Sequence, residues 1–188
     1  MSTIIPNREI ACKLLTRYNS NDSLIKHALS VEAVMRHFAE SLNEDVEMWG
    51  IVGLIHDVDY ERYPDEHCTK ARVIMEEENW PDEYIHAVQS HGYNICSSVM
   101  PEHIMEKVLY TIDELTGLIT ATVLMRPDKS IEGLEVRSVK KKWKQKSFAA
   151  GVNRQIIEEG AAMLGMELEE IIAGTIKGMQ TVAKKIGL

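Results

Sequence analysis

A histidine and an aspartate, His56 and Asp57, lie side by side at the end of the apolar run Gly50–Ile55. They offer an imidazole nitrogen and a carboxylate oxygen, which are donors that hard and borderline divalent metal ions take from proteins. The dipeptide alone is a weak signal. Three further candidates strengthen it, because His27 lies in a helical segment before the dipeptide and His91 and Asp113 lie in two segments after it.

Helical spacing indicates that His27 and Asp113 point inward. His27 shares a face with Val31, Val34 and Phe38, since these spacings return to one side of a helix. Asp113 lies in a helix that also carries the apolar residues Val108, Ile112 and Leu115. Burial of an unpaired carboxylate costs several kcal/mol. Asp113 therefore requires a cation, a hydrogen-bond donor or access to water. Because these polar residues lie on the apolar faces of separate helices, we predict that they converge on one metal site.

The elements that position these residues are predicted to be helices. Apolar residues recur at spacings of three and four, whereas sustained alternation of the strand type is missing. With 188 residues, of which 45% are hydrophobic, the chain is predicted to be a single compact all-α domain over 1–188. Within it, a metal-binding core is expected over about 20–125, and a C-terminal helical extension over about 130–188.

Capping residues, prolines and glycines predict the helix bounds. Asn21 or Asp22 is expected to cap the second helix and Asp65 the fourth, while Pro81 and Pro101 are expected in the first turns of the fifth and sixth. The predicted ranges are 8–18, from 21 or 22 to 42, 45–56, 66–78, 81–89, 101 to just before 127, 136–150, 152–164 and 167–186.

Charge and cysteine content exclude several classes of function. The net charge of −8 argues against general binding of nucleic acids or anionic membranes, so an anionic ligand needs a local positive site. Three scattered cysteines, Cys12, Cys68 and Cys96, indicate neither a disulfide framework nor a thiolate zinc cluster, which favours a reducing cytoplasm. The chain carries no apolar stretch long enough for a membrane span, and its oligomeric state is left open.

The ordered set His27, His56-Asp57 and Asp113 resembles the HD superfamily of metal-dependent phosphohydrolases, and the chain is similar to its small stand-alone members. The resemblance extends over roughly 24–120 and includes Gly-Leu-Ile-His-Asp-Val-Asp around the dipeptide and Leu109–Gly117 around the last aspartate. It implies an all-α fold of the HD-domain type in which His27, His56, Asp57 and Asp113 bind a divalent ion, whether Mn, Co, Mg, Zn, Ni or Fe.

The resemblance leaves the number of ions open. Two-metal members add histidines after the dipeptide, with the aspartate bridging the ions, and His67 and His91 stand at comparable places. Some of those members have adjacent histidines at the later site, where this chain has Ser90-His91. One-metal members that act on nucleotides often place a glutamate where this chain has Tyr60.

The expected reaction is cleavage of a phosphomonoester or phosphoanhydride of a small molecule, with a nucleotide as one candidate, by attack of water bound to the metal. Asp57 or Asp59 is expected to orient that water. Arg137, Lys140 and Lys144, in the one basic cluster of the chain, are expected to hold the substrate phosphate. Two alternatives stay open, namely a di-iron oxygenase with the HD fold and a non-catalytic sensor or scaffold domain.

Overall fold

The structure is a computed structural model that describes residues 3–188. Within that range 65% of the chain is helical and no strand forms, so the predicted all-α fold is confirmed. No helix in the described range is long and apolar enough to cross a membrane. The ten α-helices of residues 3–188 are α1 (Arg8–Tyr18), α2 (Asp22–Leu42), α3 (Val46–Ile55), α4 (Thr69–Glu77), α5 (Asp82–Ser90), α6 (Ile104–Leu124), α7 (Val136–Trp143), α8 (Arg154–Leu164), α9 (Leu168–Gln180) and α10 (Ala183–Ile186).

The first three helices begin at side-chain caps. The side chains of Asn7, Asn21 and Asp45 accept hydrogen bonds from backbone N–H groups in the first turns of α1, α2 and α3. These bonds satisfy amides that have no partner inside the helix. Helix α2 ends at Asn43, whose left-handed backbone (φ 58°) stops the helix before the cap of α3. The bounds predicted for these helices therefore hold to within one residue.

Helices α4 and α6 begin later than the sequence predicts. Asp65 lies in a short 3-10 helix, Pro64–Glu66, and Cys68 adopts a positive φ of 65° before α4 starts at Thr69. Helix α6 starts after His103, whose side chain accepts from the backbone N–H of Met105 while the Glu106 carboxylate accepts from the backbone N–H of His103. This reciprocal cap fixes the start of α6 beyond Pro101.

The C-terminal helices are shorter than predicted. Helix α7 ends at Trp143 rather than continuing to residue 150. The guanidinium of Arg154 donates to the carbonyl oxygens of Trp143 and Phe148, which gives the irregular segment before α8 partners that a helix would otherwise supply. The last predicted helix is divided, since α9 ends at Gln180 and α10 follows after a turn.

Helix α2 lies at the centre of the fold and packs against α3, α6 and α9. Glycines allow the closest approaches. A Cβ on Gly53 of α3 would lie 3.1 Å from the Glu32 Cα of α2, and a Cβ on Gly178 of α9 would lie 2.6 Å from the Val34 Cα. Helix α8 packs on α6, where Gly160 faces Thr111. The division into a core and an extension stays a prediction, although both parts share these packed surfaces.

Candidate metal centre

Three helices bring together the four residues of the predicted metal site. His27 lies on α2, Asp113 lies on α6, and His56-Asp57 directly follows α3. We call these four residues the primary cluster. The Nε2 atom of His27 lies 2.9 Å from Asp113 Oδ1, 3.3 Å from His56 Nε2 and 3.7 Å from Asp57 Oδ2. His56 Nε2 lies 3.3 Å from Asp57 Oδ2 and 3.4 Å from Asp113 Oδ1.

The primary cluster has the dimensions of a metal-binding site. Ligands about 2.1 Å from a common ion are separated by about 3.0 Å at a right angle and about 3.4 Å at the tetrahedral angle. The separations of 2.9–3.7 Å in the cluster bracket these values. Two imidazoles and two carboxylates are also a donor set that binds divalent ions of intermediate softness. The residues present therefore fit a divalent ion.

A second group of donors adjoins the first. His67 Nε2 and His91 Nε2 lie 3.1 Å apart, and they lie 3.3 Å and 3.5 Å from Asp57 Oδ1. We call Asp57, His67 and His91 the secondary cluster. The two oxygens of Asp57 thus face different groups, with Oδ2 toward His27 and His56 and Oδ1 toward His67 and His91. This is the arrangement expected of a carboxylate that bridges two ions.

The other ring nitrogen of each imidazole is held by the protein. His56 Nδ1 donates to the Gly53 carbonyl at 2.8 Å, and His91 Nδ1 donates to the Val88 carbonyl. Both histidines directly follow a helix, so each ring bonds one of the last carbonyls, which lack helical partners. Because a carbonyl only accepts, Nδ1 carries the proton, and Nε2 of the neutral ring keeps its lone pair for a metal.

Asp59, predicted to be catalytic, lies behind His67 instead of at the cavity. The carboxylate is fully buried; Oδ1 accepts from His67 Nδ1 at 2.8 Å and Oδ2 accepts from the Ala71 backbone N–H at 2.8 Å. Both oxygens are therefore occupied. Asp59 was predicted to orient the attacking water. In the structure it instead orients the imidazole of His67, as carboxylates commonly do behind metal-binding histidines.

Charge and burial act in opposite directions on the clustered groups. Burial lowers the pKa of His56, but the negative charges of Asp57 and Asp113 outweigh burial and hold this pKa well above its usual value. The pKa of His67 is raised in the same way, because hydrogen bonding to Asp59 and the charge of Asp57 overcome burial. Burial raises the pKa of Asp57, but His56 and the other imidazoles hold it well below its usual range. Both clusters therefore attract cations, including protons.

Every member of the two clusters except the buried His56 lines a cavity of about 360 Å³. Besides the expected residues, the walls include Tyr60, whose ring stands edge-on to His67, and Glu114, which accepts a hydrogen bond from the Asn153 N–H. Burial raises the pKa of Glu114. Sequence reasoning gave Glu114 no role, although it directly follows Asp113. The lining residues are Leu24, His27, Asp57, Tyr60, His67, His91, Gly92, Ile95, Cys96, Asp113, Glu114, Gly117, Gly151 and Val152.

The structure does not bring the predicted phosphate-binding residues to this cavity. Arg137, Lys140 and Lys144 line a separate surface depression, and none of them lines the cavity above the clusters. Lys140 forms an ion pair with Glu169 of α9, and Arg137 pairs with Glu135. Acidic residues of the chain itself therefore balance part of the basic cluster. The sequence showed the local density of positive charge but not its distance from the metal centre.

In this chain, histidines and aspartates from separate helices meet at one cavity. This arrangement is typical of metal-binding helical domains. Among known protein families, the HD domain matches residues 24–140, which is more than half of the chain. The chain belongs to the HD domain family, which confirms the resemblance drawn from the sequence. Members of this family are in general metal-dependent phosphohydrolases. No solved structure matches the chain.

Proposed function

We propose that the protein is a metal-dependent phosphohydrolase that cleaves a phosphomonoester or phosphoanhydride bond of a small phosphorylated molecule, with nucleotides among the candidates. The observation that carries the proposal is that five of the six donor residues, all but the buried His56, line a cavity that opens to solvent. A buried structural metal site would have no such opening. The cytoplasm remains the location that we propose.

In this proposal the primary cluster holds one divalent ion and the secondary cluster holds another, with Asp57 shared between them. When bound, such ions lower the pKa of water and neutralise charge on a phosphoryl group. His27, His56 and Asp113 hold the first position, and the hydrogen bond from His56 Nδ1 to Gly53 keeps that ring in the ligating tautomer. Asp59 does the same for His67 through its 2.8 Å hydrogen bond.

The cavity walls determine which substrates can enter. Among the described residues that line the cavity there is no lysine or arginine, so the phosphate charge has to be met mainly at the clusters. Tyr60, which is 44% exposed, offers an aromatic ring to the cavity, and Ile95 and Val152 add apolar surface to its lining. We infer a substrate that combines its phosphate with a flat or apolar portion. Glu114 lies beside this space and is positioned to exchange a proton with a leaving group.

A di-iron oxygenase is the second candidate, and the secondary cluster is the observation that favours it. Two adjacent positions that share a carboxylate suit a pair of iron ions as well as a pair of redox-inert ions. Purification under air followed by metal analysis and EPR separates the two proposals. A mixed-valence iron signal would support oxygen chemistry, whereas exchangeable Mn, Co, Mg or Zn would support hydrolysis.

The direct test is phosphate release from a panel of nucleotides and sugar phosphates, assayed with metal-free protein to which single divalent ions are returned. We expect turnover that requires an ion and that Asp57→Asn abolishes, because this side chain belongs to both clusters. Asp65→Asn is the matched control, since Asp65 is exposed on the 3-10 helix. Undiminished turnover by folded Asp57→Asn would exclude the mechanism, and absence of turnover on every substrate would favour the non-catalytic alternative.

The same panel tests the basic cluster. If Lys144 holds the substrate phosphate, Lys144→Ala will raise KM and leave kcat nearly unchanged, since only binding of the phosphate is lost. The separate location of this residue leads us to expect an unchanged KM.

A further inference from the structure

Two cysteines meet beside the secondary cluster. Cys68 immediately follows His67, and Cys96 lies 28 residues further along the chain in the loop after α5. Their Sγ atoms are 3.1 Å apart, although neither is bonded to the other. The Sγ of Cys68 also lies within 4.8 Å of ligand nitrogens of both His67 and His91. The sequence gave no indication that these two thiols are neighbours.

The glycine that follows His91 makes this contact sterically possible. A Cβ on Gly92 would lie 2.5 Å from the Cys68 Sγ and 2.5 Å from the Cys96 Sγ, which is closer than real contacts allow. The φ of Gly92 is not positive, so the glycine serves close approach and not a left-handed turn. Its carbonyl oxygen accepts the backbone N–H groups of Ile95, Cys96 and Ser97 at 2.9–3.0 Å. This tight turn returns Cys96 to Cys68.

The two thiols differ in exposure. Cys68 is completely buried, whereas Cys96 is exposed and lines the cavity above the metal clusters. An oxidant that enters the cavity therefore reaches Cys96 first. Any oxidised form of Cys96 is then within contact distance of Cys68. An exposed thiol beside a buried partner is the arrangement of a reacting and a resolving cysteine.

We propose that Cys68 and Cys96 form a reversible disulfide in response to a peroxide, and that the disulfide alters the secondary cluster. The Cys96 thiolate attacks one oxygen of the peroxide, which breaks the O–O bond and gives the sulfenic acid and water or an alcohol. The Cys68 sulfur then attacks the Cys96 sulfur, and the hydroxyl group leaves as water. Two electrons pass from the two thiols to the peroxide, and a low-molecular-weight thiol reverses the bond by exchange.

The effect on the metal centre follows from chain connectivity. A disulfide bond is about 2.05 Å long, so the two sulfurs have to approach by roughly 1 Å. Cys68 already has a positive φ of 65° and is covalently joined to His67. Closing the bond pulls on the segment that holds His67 against Asp59 and Asp57. This second half of the proposal rests on the proposed metal site, whereas formation of the disulfide does not.

The first test is a thiol count on the full chain after treatment with a stoichiometric amount of hydrogen peroxide. We expect two of the three cysteines to become resistant to alkylation under denaturing conditions, with mass spectrometry showing a peptide that links Cys68 to Cys96. Cys12→Ser is the matched control and should form the same link. Cys96→Ser, at an exposed position, should leave Cys68 fully alkylatable. Oxidation to sulfinic acid without a linked peptide, or links that involve Cys12, would overturn the proposal.

The second test is titration of reduced and oxidised protein with Mn²⁺ by calorimetry. The secondary cluster has three donors against four in the primary cluster, so we assign it the lower-affinity binding step. We expect oxidation to weaken this step by about tenfold or more, as loss of an oriented imidazole does. Gly92→Ala checks the geometric cause, because it should slow formation of the link while circular dichroism shows retained helices. A disulfide that forms without changing Mn²⁺ binding would refute the coupling. Absence of Mn²⁺ binding by the reduced protein would refute the metal centre while leaving the mass measurement decisive for the disulfide.

Discussion

Replacement of Asp59 by asparagine should disable the secondary cluster and spare the primary one. The asparagine side chain has the same shape but one donor group and one acceptor group. Its oxygen can still accept the Ala71 N–H that Asp59 Oδ2 accepts at 2.8 Å. The amide NH₂ group then faces His67 Nδ1, so this nitrogen has to become the acceptor and the proton moves to Nε2. A protonated Nε2 cannot bind a metal.

The size of the effect follows from the bond that is lost. A hydrogen bond to a charged group contributes about 1.5–3 kcal/mol, and about 1.4 kcal/mol corresponds to a factor of ten in affinity. We therefore expect the lower-affinity metal step to weaken by roughly 10–100-fold, the range typical of substitutions behind a metal-binding histidine. The higher-affinity step should change little, because the Asp59 carboxylate bonds His67 and the Ala71 N–H rather than a residue of the primary cluster.

Titration of metal-free protein with Co²⁺, followed by calorimetry and by absorbance, resolves the two steps. Asp65→Asn, which makes the same chemical change at an exposed position, serves as control. Binding of both ions by folded Asp59→Asn as tightly as by the parent protein would refute the role of Asp59. Loss of the higher-affinity step with survival of the lower-affinity step would refute it too.

Two further predictions concern stability and pH. Gly178→Ala places a Cβ 2.6 Å from the Val34 Cα, so α9 has to move away from α2. We expect the free energy of unfolding to fall by about 1–3 kcal/mol, measured as a lower Tm. Gly151→Ala is the control and should leave Tm unchanged, because the space around Gly151 is open. Metal affinity should fall as pH decreases, because Asp57 and Asp113 raise the pKa of His56 despite its burial and a proton then competes with the ion at lower pH. Calorimetry in buffers of different ionisation heats should show proton release on binding, and affinity independent of pH would contradict the raised pKa.

Much of the primary cluster could be predicted because its members lie on or next to regular helices. The direction of the His27 and Asp113 side chains follows from the spacing of their apolar neighbours on α2 and α6. Asp59 lies in the irregular segment after α3, where no period fixes the direction of a side chain. Its burial behind His67 depends on how the chain reaches α4, and the late start of α4 was itself not predicted. The role given to Asp59 therefore needed the structure.

The basic cluster and the cysteine pair illustrate a second limit. Local charge density identifies Lys140 and Lys144 as neighbours, but their distance from Asp57 depends on where α7 packs, and no local pattern encodes that. Cys68 and Cys96 meet because a tight turn over the Gly92 carbonyl returns the chain upon itself. Such a contact leaves no periodic signal in the sequence. It brings together two loop residues, Cys68 and Cys96, and it depends on the absence of a side chain at Gly92.

The shared position of Asp57 has a consequence for how such a protein can change over evolutionary time. His67 belongs to the secondary cluster alone, whereas His91 also lies within 4.8 Å of donor atoms of His56 and Asp113. A single replacement at His67 would thus leave the four donors of the primary cluster in place. One-ion and two-ion chemistries would then be neighbours in sequence space, separated by a single substitution.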